Sequence, residues 1–254
     1  MSALFSLAGR SALITGGSRG IGRMIAAGFL QAGARVYISA RKAEACDAAA
    51  AELSALGICV SLPFDVSTPA GVQGLVAAYA ERESSLDILV NNAGAAWGAP
   101  FAEFPENGWD KVVDLNLKTP FFLTQALHGL LVKGGQAQPA KVINIASIDG
   151  QSVNPMETYS YAASKAGLIH LTRRMALRLV QDNIVVTAIA PGAFASDMNK
   201  DARDHGDEVA ARIPARRIGN DDDMAGAAIY LASRAGDYVV GTTLTVDGGV
   251  TISR

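Results

Sequence analysis

Seven residues, YSYAASK at 159–165, hold two tyrosines, two serines and one lysine. On a helix, residues four apart share a face and residues two apart do not. Tyr161 therefore meets Lys165, whereas Tyr159 stands four before Ala163. A free phenol has a pKa of about 10, so titration near neutrality requires roughly 4 kcal/mol of preferential phenolate stabilisation. One positive charge about 4 Å away, at an effective dielectric of roughly 20, contributes on the order of 4 kcal/mol before desolvation opposes it. Tyr161 and Lys165 are thus a predicted acid/base pair near neutral pH. The same spacing is also what a surface i,i+4 contact would show. Tyr159 enters the helix or faces the pocket, and Ser160 and Ser164 are read as bystanders.

Elements to position such a pair are legible along the chain. Short β-branched or aliphatic runs recur as SALIT (11–15), RVYIS (35–39), CVSLPF (59–64), DILVN (87–91), KVINIA (141–146), IVVTAIA (184–190) and TLTV (243–246). Between them lie Ala-, Leu-, Glu- and Arg-rich stretches such as 42–56, 69–83 and 221–232. Continuous apolar strands separated by helices predict an α/β fold with a doubly wound parallel sheet of about seven strands. No linker, charge run or repeat divides residues 1–254, so one domain is expected. Segment 134–140 reads as a loop. Segment 192–215 is the one long interval without a clear strand, the composition of a lid or binding loop.

Directly after the first run comes TGGSRGIG, with Gly16, Ser18, Arg19, Gly20, Ile21 and Gly22 leading into a helical stretch at 21–32. Glycines there permit a tight turn and let backbone N–H groups and the helix N-terminus approach a pyrophosphate. The G-x-x-x-G-x-G spacing differs from the commoner G-x-G-x-x-G, and its place after the first strand carries the dinucleotide reading. A binder of NAD usually sets an acidic residue about 20 residues further on, for the ribose 2′-hydroxyl. Here Ala40, Arg41 and Lys42 stand instead. Arg41, helped by Arg19, can pair with a 2′-phosphate, so NADP(H) is the expected cofactor; the alternative is two solvated surface charges.

With 50% hydrophobic residues the chain can bury a substantial core, and a formal charge of -2 from 22 basic and 24 acidic residues gives no overall attraction to nucleic acid or anionic membrane. Two cysteines, Cys46 and Cys59, suit a reducing compartment. No leader-like N-terminus and no long apolar run occur, so a cytoplasmic protein is expected. His128, His170 and His205 form no ligand spacing, and no metal is expected.

Taken together, TGGSRGIG, Asp65 after the third run, NNAG at 91–94, Asn116 in DLNL, Ser147 after INIA, YAASK at 161–165, PG at 191–192 and VDGG at 246–249 resemble the short-chain dehydrogenase/reductase family across essentially the whole chain. The resemblance implies that Tyr161 protonates a carbonyl oxygen as hydride arrives from the nicotinamide. Ser147 would polarise that oxygen, with Ser152 as a rival and a plain turn serine as the bland alternative. Lys165 would lower the Tyr161 pKa and bond the nicotinamide ribose. Asn116 would hold a water linking Lys165 to solvent, unless it merely kinks a helix. Asp65 and Val66 fit adenine-side contacts, and Asn91, Asn92, Ala93 and Gly94 the cofactor wall. Pro191, Gly192, Phe194 and Ser196 would border the nicotinamide. Fourteen residues separate Ser147 from Tyr161, slightly more than in many relatives, which leaves the substrate wall less predictable.

Trp97 and Phe194 lie on loops beside the cleft and either line the substrate pocket or make core or subunit contacts. Arg173, Arg174 and Arg178 read as a solvated or interface face, or as a docking patch for an acidic carrier protein or coenzyme A. The resemblance implies NADPH-dependent reduction of a carbonyl to a secondary alcohol, and SLAGRSALITGGSRGIG and NNAGAAWGAPFAEFPENGW resemble the 3-oxoacyl thioester reductases, whose substrate would be carried on acyl carrier protein or CoA. The alternatives are a sugar-acid or polyol dehydrogenase, a broad carbonyl reductase, and a non-catalytic NADP-binding sensor or scaffold. The resemblance also implies a homotetramer, paired through the helices around 107–132 and 158–180 with the C-terminal strand making a second contact.

Overall fold

Runs such as ILVN and IVVTAIAP lack polar alternation, so strands made from them need cover on both faces. In the computed structural model, which describes residues 3–253, they form a seven-stranded parallel sheet. Its strands are β1 (Ser11–Thr15), β2 (Arg35–Ser39), β3 (Cys59–Leu62), β4 (Ile88–Asn91), β5 (Ala140–Ile145), β6 (Ile184–Pro191) and β7 (Thr243–Val246). Every residue of β1, β4, β5 and β6 is buried, whereas the edge strands β3 and β7 are largely half-buried. The run at 59–64 stops at Leu62, before Pro63, which has no N–H to give to a ladder.

The order is β3-β2-β1-β4-β5-β6-β7. The chain first builds outward from β1 and then returns to build the other half from β4, so the crevice between β1 and β4 is the switch point where such sheets take ligands at their strand C-termini. Register aligns those ends, with Ile14 beside Val90, Asn91 beside Asn144 and Asn144 beside Ala188. The loops beginning at residues 16, 92, 146 and 192 therefore emerge along one rim.

Helices follow in chain order as α1 (Gly20–Gln31), α2 (Ala43–Leu53), α3 (Pro69–Ala80), α4 (Glu106–Val113), α5 (Thr119–Ala126), α6 (His128–Gly134), α7 (Tyr159–Leu179), α8 (Lys200–Asp204), α9 (Gly206–Ala211) and α10 (Asp221–Ala232). One face of the sheet packs on α1, α2 and α10 through Ile25, Phe29, Leu53, Met224 and Leu231. The other packs on α3, α5, α6 and α7 through Leu75, Leu123, Leu131 and Met175. Local chemistry sets several starts: Thr68 accepts from the Gly71 N–H at 3.0 Å ahead of Pro69, and Asn220 forms a capping box with Asp223. Segment 192–215, without a strand as expected, carries the short helices α8 and α9. Among the described residues no helix is long and apolar enough to cross a membrane.

Candidate active site

Tyr161 and Lys165 lie one turn apart in the first half of α7, where it crosses the end of β5. Lys165 is 5% exposed, and its ammonium donates to the Ile145 carbonyl at 2.7 Å. It therefore lies over the Tyr161 ring, 5.6 Å from the centroid. Ser147, just beyond β5, is buried and bonds with Tyr161, while its Oγ accepts from the Asp149 N–H at 3.1 Å. Ser152, the rival serine, has its hydroxyl on the Ile148 carbonyl at 3.3 Å.

The electrostatics run opposite to the expected acidification of the phenol. Burial pushes Tyr161 up to about 12; the Ser147 hydrogen bond opposes this and the Asp149 charge adds to it. Burial likewise pulls Lys165 down to about 8. Desolvation disfavours the charged form of each group, and here it is the largest effect on both.

Asn116 sits in a π-helical turn, Asp114–Lys118, between α4 and α5, a local widening that is frequent at functional sites. Its side chain is committed to protein: Oδ1 accepts from the Ala95 N–H at 2.8 Å, and Nδ2 donates to the Ala95 carbonyl at 2.9 Å and to Ser164 Oγ at 3.1 Å. Ser164 in turn donates to the Tyr161 carbonyl at 2.8 Å. Ser164 is therefore no bystander; it ties α7 to the loop after β4. Asn116 and Lys165 both border Gly94, where a Cβ would come within 3.2 Å of Asn116 Oδ1 and 3.8 Å of Lys165 Nζ.

On the other side of the switch point, α1 begins without a side-chain cap, leaving its first N–H groups for an anion. Gly22 permits the turn, since a Cβ there would stand 2.3 Å from the Gly16 carbonyl oxygen. Asn92 pins this loop by donating to the Thr15 and Gly16 carbonyls at 2.9 and 3.1 Å, and Thr15 Oγ1 receives the Asn92 and Ala93 N–H groups at 3.0 Å each. These features fit a dinucleotide diphosphate. Arg41 is exposed at the end of β2 and has no ion-pair partner among the described residues. Arg19 is also exposed but is paired with Asp197 of the long loop. Asp65 closes a turn by accepting from Ser67 N–H and Oγ at 3.1 and 2.7 Å, beside buried Val66.

The remaining candidates fall on both sides of the alternatives left open. Phe194, expected beside the nicotinamide or the substrate, is 3% exposed and packs in the core with Met224 and Leu231. A Cβ on Gly219 would fall 2.4 Å from its ring, so the fold reserves that space for the phenyl group. Trp97, on the loop after β4, packs against α4, its ring 2.8 Å from where a Gly108 Cβ would be and 5.3 Å from Lys111 Nζ. Asn91 points away from the expected cofactor wall, donating to Asn144 Oδ1 at 2.9 Å and Thr124 Oγ1 at 3.2 Å. Tyr159 packs edge-on against Phe101 and Phe104 and donates to Glu157 at 3.0 Å. Among the described residues no group of His, Cys, Asp and Glu could hold a metal ion. Sequence spacing did not single out Thr15, Ser164 or Asp197, whose contacts join segments far apart in the chain.

Residues 16–251 match a family model described as enoyl-(acyl carrier protein) reductase. The rhamnolipids biosynthesis 3-oxoacyl-[acyl-carrier-protein] reductase of Pseudomonas aeruginosa is 47% identical over 253 residues, covering 98% of this chain and 99% of that protein. Gluconate 5-dehydrogenase of Gluconobacter oxydans is 37% identical over 254 residues, covering 98% of each. Among solved structures, the Pseudomonas aeruginosa RhlG/NADP active-site complex matches with a TM-score of 0.95 at 47% identity, over 99% of this chain and 100% of that one. Gluconate 5-dehydrogenase from Burkholderia cenocepacia J2315, in complex with NADP and tartrate, matches with a TM-score of 0.90 at 36% identity, over 98% of both chains. The likeness runs from the glycine loop through the Tyr161 and Lys165 turn to β7, and the chain belongs to the short-chain dehydrogenase/reductase family of oxidoreductases.

Proposed function

We propose that the protein is an NADPH-dependent ketoreductase that converts the carbonyl of a 3-oxoacyl thioester into a secondary alcohol. The observation that carries the reaction type is the meeting of Ser147 and Tyr161 at the end of β5, with the phenol held protonated well above neutral pH. A protonated phenol is a donor, which suits reduction. Tyr161 gives its proton to the carbonyl oxygen, the Ser147 hydroxyl bonds the same oxygen, and the Lys165 ammonium offsets the negative charge of the phenolate that is left until a proton from solvent restores it. The nicotinamide, when bound, supplies the hydride.

Cofactor contacts follow from the rim. The uncapped start of α1 and the turn through Gly16, Ser18, Gly20, Ile21 and Gly22 hold the diphosphate. Arg19 and Arg41 take the 2′-phosphate. Asp65 and Val66 meet the adenine side, Asn92, Ala93 and Gly94 the middle, and Pro191, Gly192 and Ser196 the nicotinamide end. Lys165 bonds the ribose. Asn116 acts through its brace on Ala95 and Ser164.

For the substrate, the segment before and at the start of α7 exposes Val153 (92%) and Met156 (59%), with Phe101 (79%) against Tyr159. These side chains suit an acyl chain better than a polyhydroxylated sugar acid. The 47% identical relative supports the same choice, whereas the gluconate 5-dehydrogenases support reduction of a keto sugar acid as the second reading. Steady-state kinetics with acetoacetyl-CoA, a medium-chain 3-oxoacyl thioester, 5-ketogluconate and a simple aromatic ketone, each with NADPH and NADH, tests both. The thioesters should win by kcat/KM; preference for 5-ketogluconate transfers the assignment to the sugar-acid reading, and cofactor binding without any turnover transfers it to the sensor reading.

The same reading carries a homotetramer. Between α5 and α7 lies a groove of about 370 Å³, lined by Phe121, His128, Leu171, Arg174 and Met175. Phe121 of this lining is exposed, as are Phe122 on α5 and Leu177 on α7, an apolar surface that a second copy would cover. Sedimentation should give four copies, and Phe121→Ser with Phe122→Ser should reduce that number. Unbridged Cys46 and Cys59 suit the cytoplasm.

A further inference from the structure

The stem of the long loop rests on the glycine loop by two contacts. Ser196 lies against Gly20, where a Cβ would come within 3.3 Å of the serine Cβ. Its neighbour Asp197 forms an ion pair with Arg19 and a second, at 2.8 Å, with Arg203 of α8. Arg19 and then Arg203 hold the Asp197 carboxyl below its ordinary range, so it stays anionic. Arg41, the other guanidinium at this rim, has no such partner.

We propose that Asp197 is a specificity-determining counter-charge, which occupies the Arg19 guanidinium that a cofactor 2′-phosphate would claim. This rests on the reading of Arg19 as a phosphate ligand. Two anions on one exposed cation either exchange or repel, and both outcomes weaken binding of the 2′-phosphorylated cofactor. A cofactor with a free 2′-hydroxyl leaves the Arg19 to Asp197 pair intact. Arg41 is then the uncontested phosphate ligand, and Asp197 narrows the preference for NADPH that the two arginines create.

Isothermal titration of the full chain with adenosine 2′,5′-bisphosphate and with adenosine 5′-monophosphate tests this without turnover. Asp197→Asn should bind the bisphosphate about two- to fivefold more tightly, the range of an exposed ion pair, with the monophosphate unchanged. Arg203→Gln leaves Asp197 to Arg19 alone and should weaken the bisphosphate. Unchanged or weaker bisphosphate binding in Asp197→Asn, or a shift of the same sign in both variants, overturns the proposal. Arg19→Ala separates the two layers. If it lowers bisphosphate affinity while Asp197→Asn does nothing, only the counter-charge is wrong; if it leaves that affinity unchanged, the phosphate role of Arg19 falls and the proposal with it.

Discussion

The Lys165 ammonium donates to the Ile145 carbonyl at 2.7 Å and lies 5.6 Å from the centroid of the Tyr161 ring. The lysine is thus held by the end of β5 and shares its dry surroundings with the phenol. Burial keeps Tyr161 protonated to about 12 and lets Lys165 lose its proton at about 8.

That ordering sets the pH dependence of reduction. Below about 8 both groups carry their protons; above it Lys165 is neutral, while Tyr161 still holds its own. The profile of kcat/KM for ketone reduction should fall on the alkaline side with an apparent pKa near 8. A profile flat through that region would show that the lysine charge is not required.

Stability should respond to the same lysine. The unfolded chain keeps the Lys165 proton up to its ordinary 10.5 and the folded chain only to about 8, so the penalty is largest below about 8 and fades as pH rises toward 10.5. The interval corresponds to on the order of 3 kcal/mol, an upper bound for Lys165→Met because the bond to Ile145 goes too. Thermal melts at neutral pH should place Lys165→Met above wild type, with turnover lost.

Tyr161→Phe removes the proton donor and should abolish turnover while NADPH still binds. Tyr159→Phe loses only a bond to exposed Glu157 and should keep most of the activity. Equal losses in single-turnover measurements would refute the assignment of Tyr161.

Asn116→Ala strips the Ala95 N–H and Ser164 of a buried partner, which costs about 1–3 kcal/mol. Denaturant melts should register that loss, and Ser164→Ala a smaller one. Both variants should lower kcat, because α7 is then untied from the loop after β4.

At the cofactor rim, Arg41→Ala should weaken NADPH binding roughly ten- to a hundredfold, as expected for a charge-assisted hydrogen bond of about 1.5–3 kcal/mol. NADH binding should hardly change. Fluorescence titration of each nucleotide measures the ratio, and an unchanged ratio would remove Arg41 from phosphate recognition.

Sequence by itself determined the features that depend on local period and composition. Apolar runs of four to eight residues gave strands covered on both faces, the glycine spacing gave the turn into α1, and four-residue spacing put Tyr161 and Lys165 on one face of α7. Tertiary structure alone decided where those groups point and what surrounds them. Phe194 turned inward because Gly219 leaves room for its ring, and Asn116 became a brace because Ala95 and Ser164 converge on it. Arg19 met a carboxylate 178 residues away. The shift of Tyr161 away from neutrality has the same origin: spacing predicts which charge is near, but desolvation depends on every element packed around the pair, and here it is the larger effect.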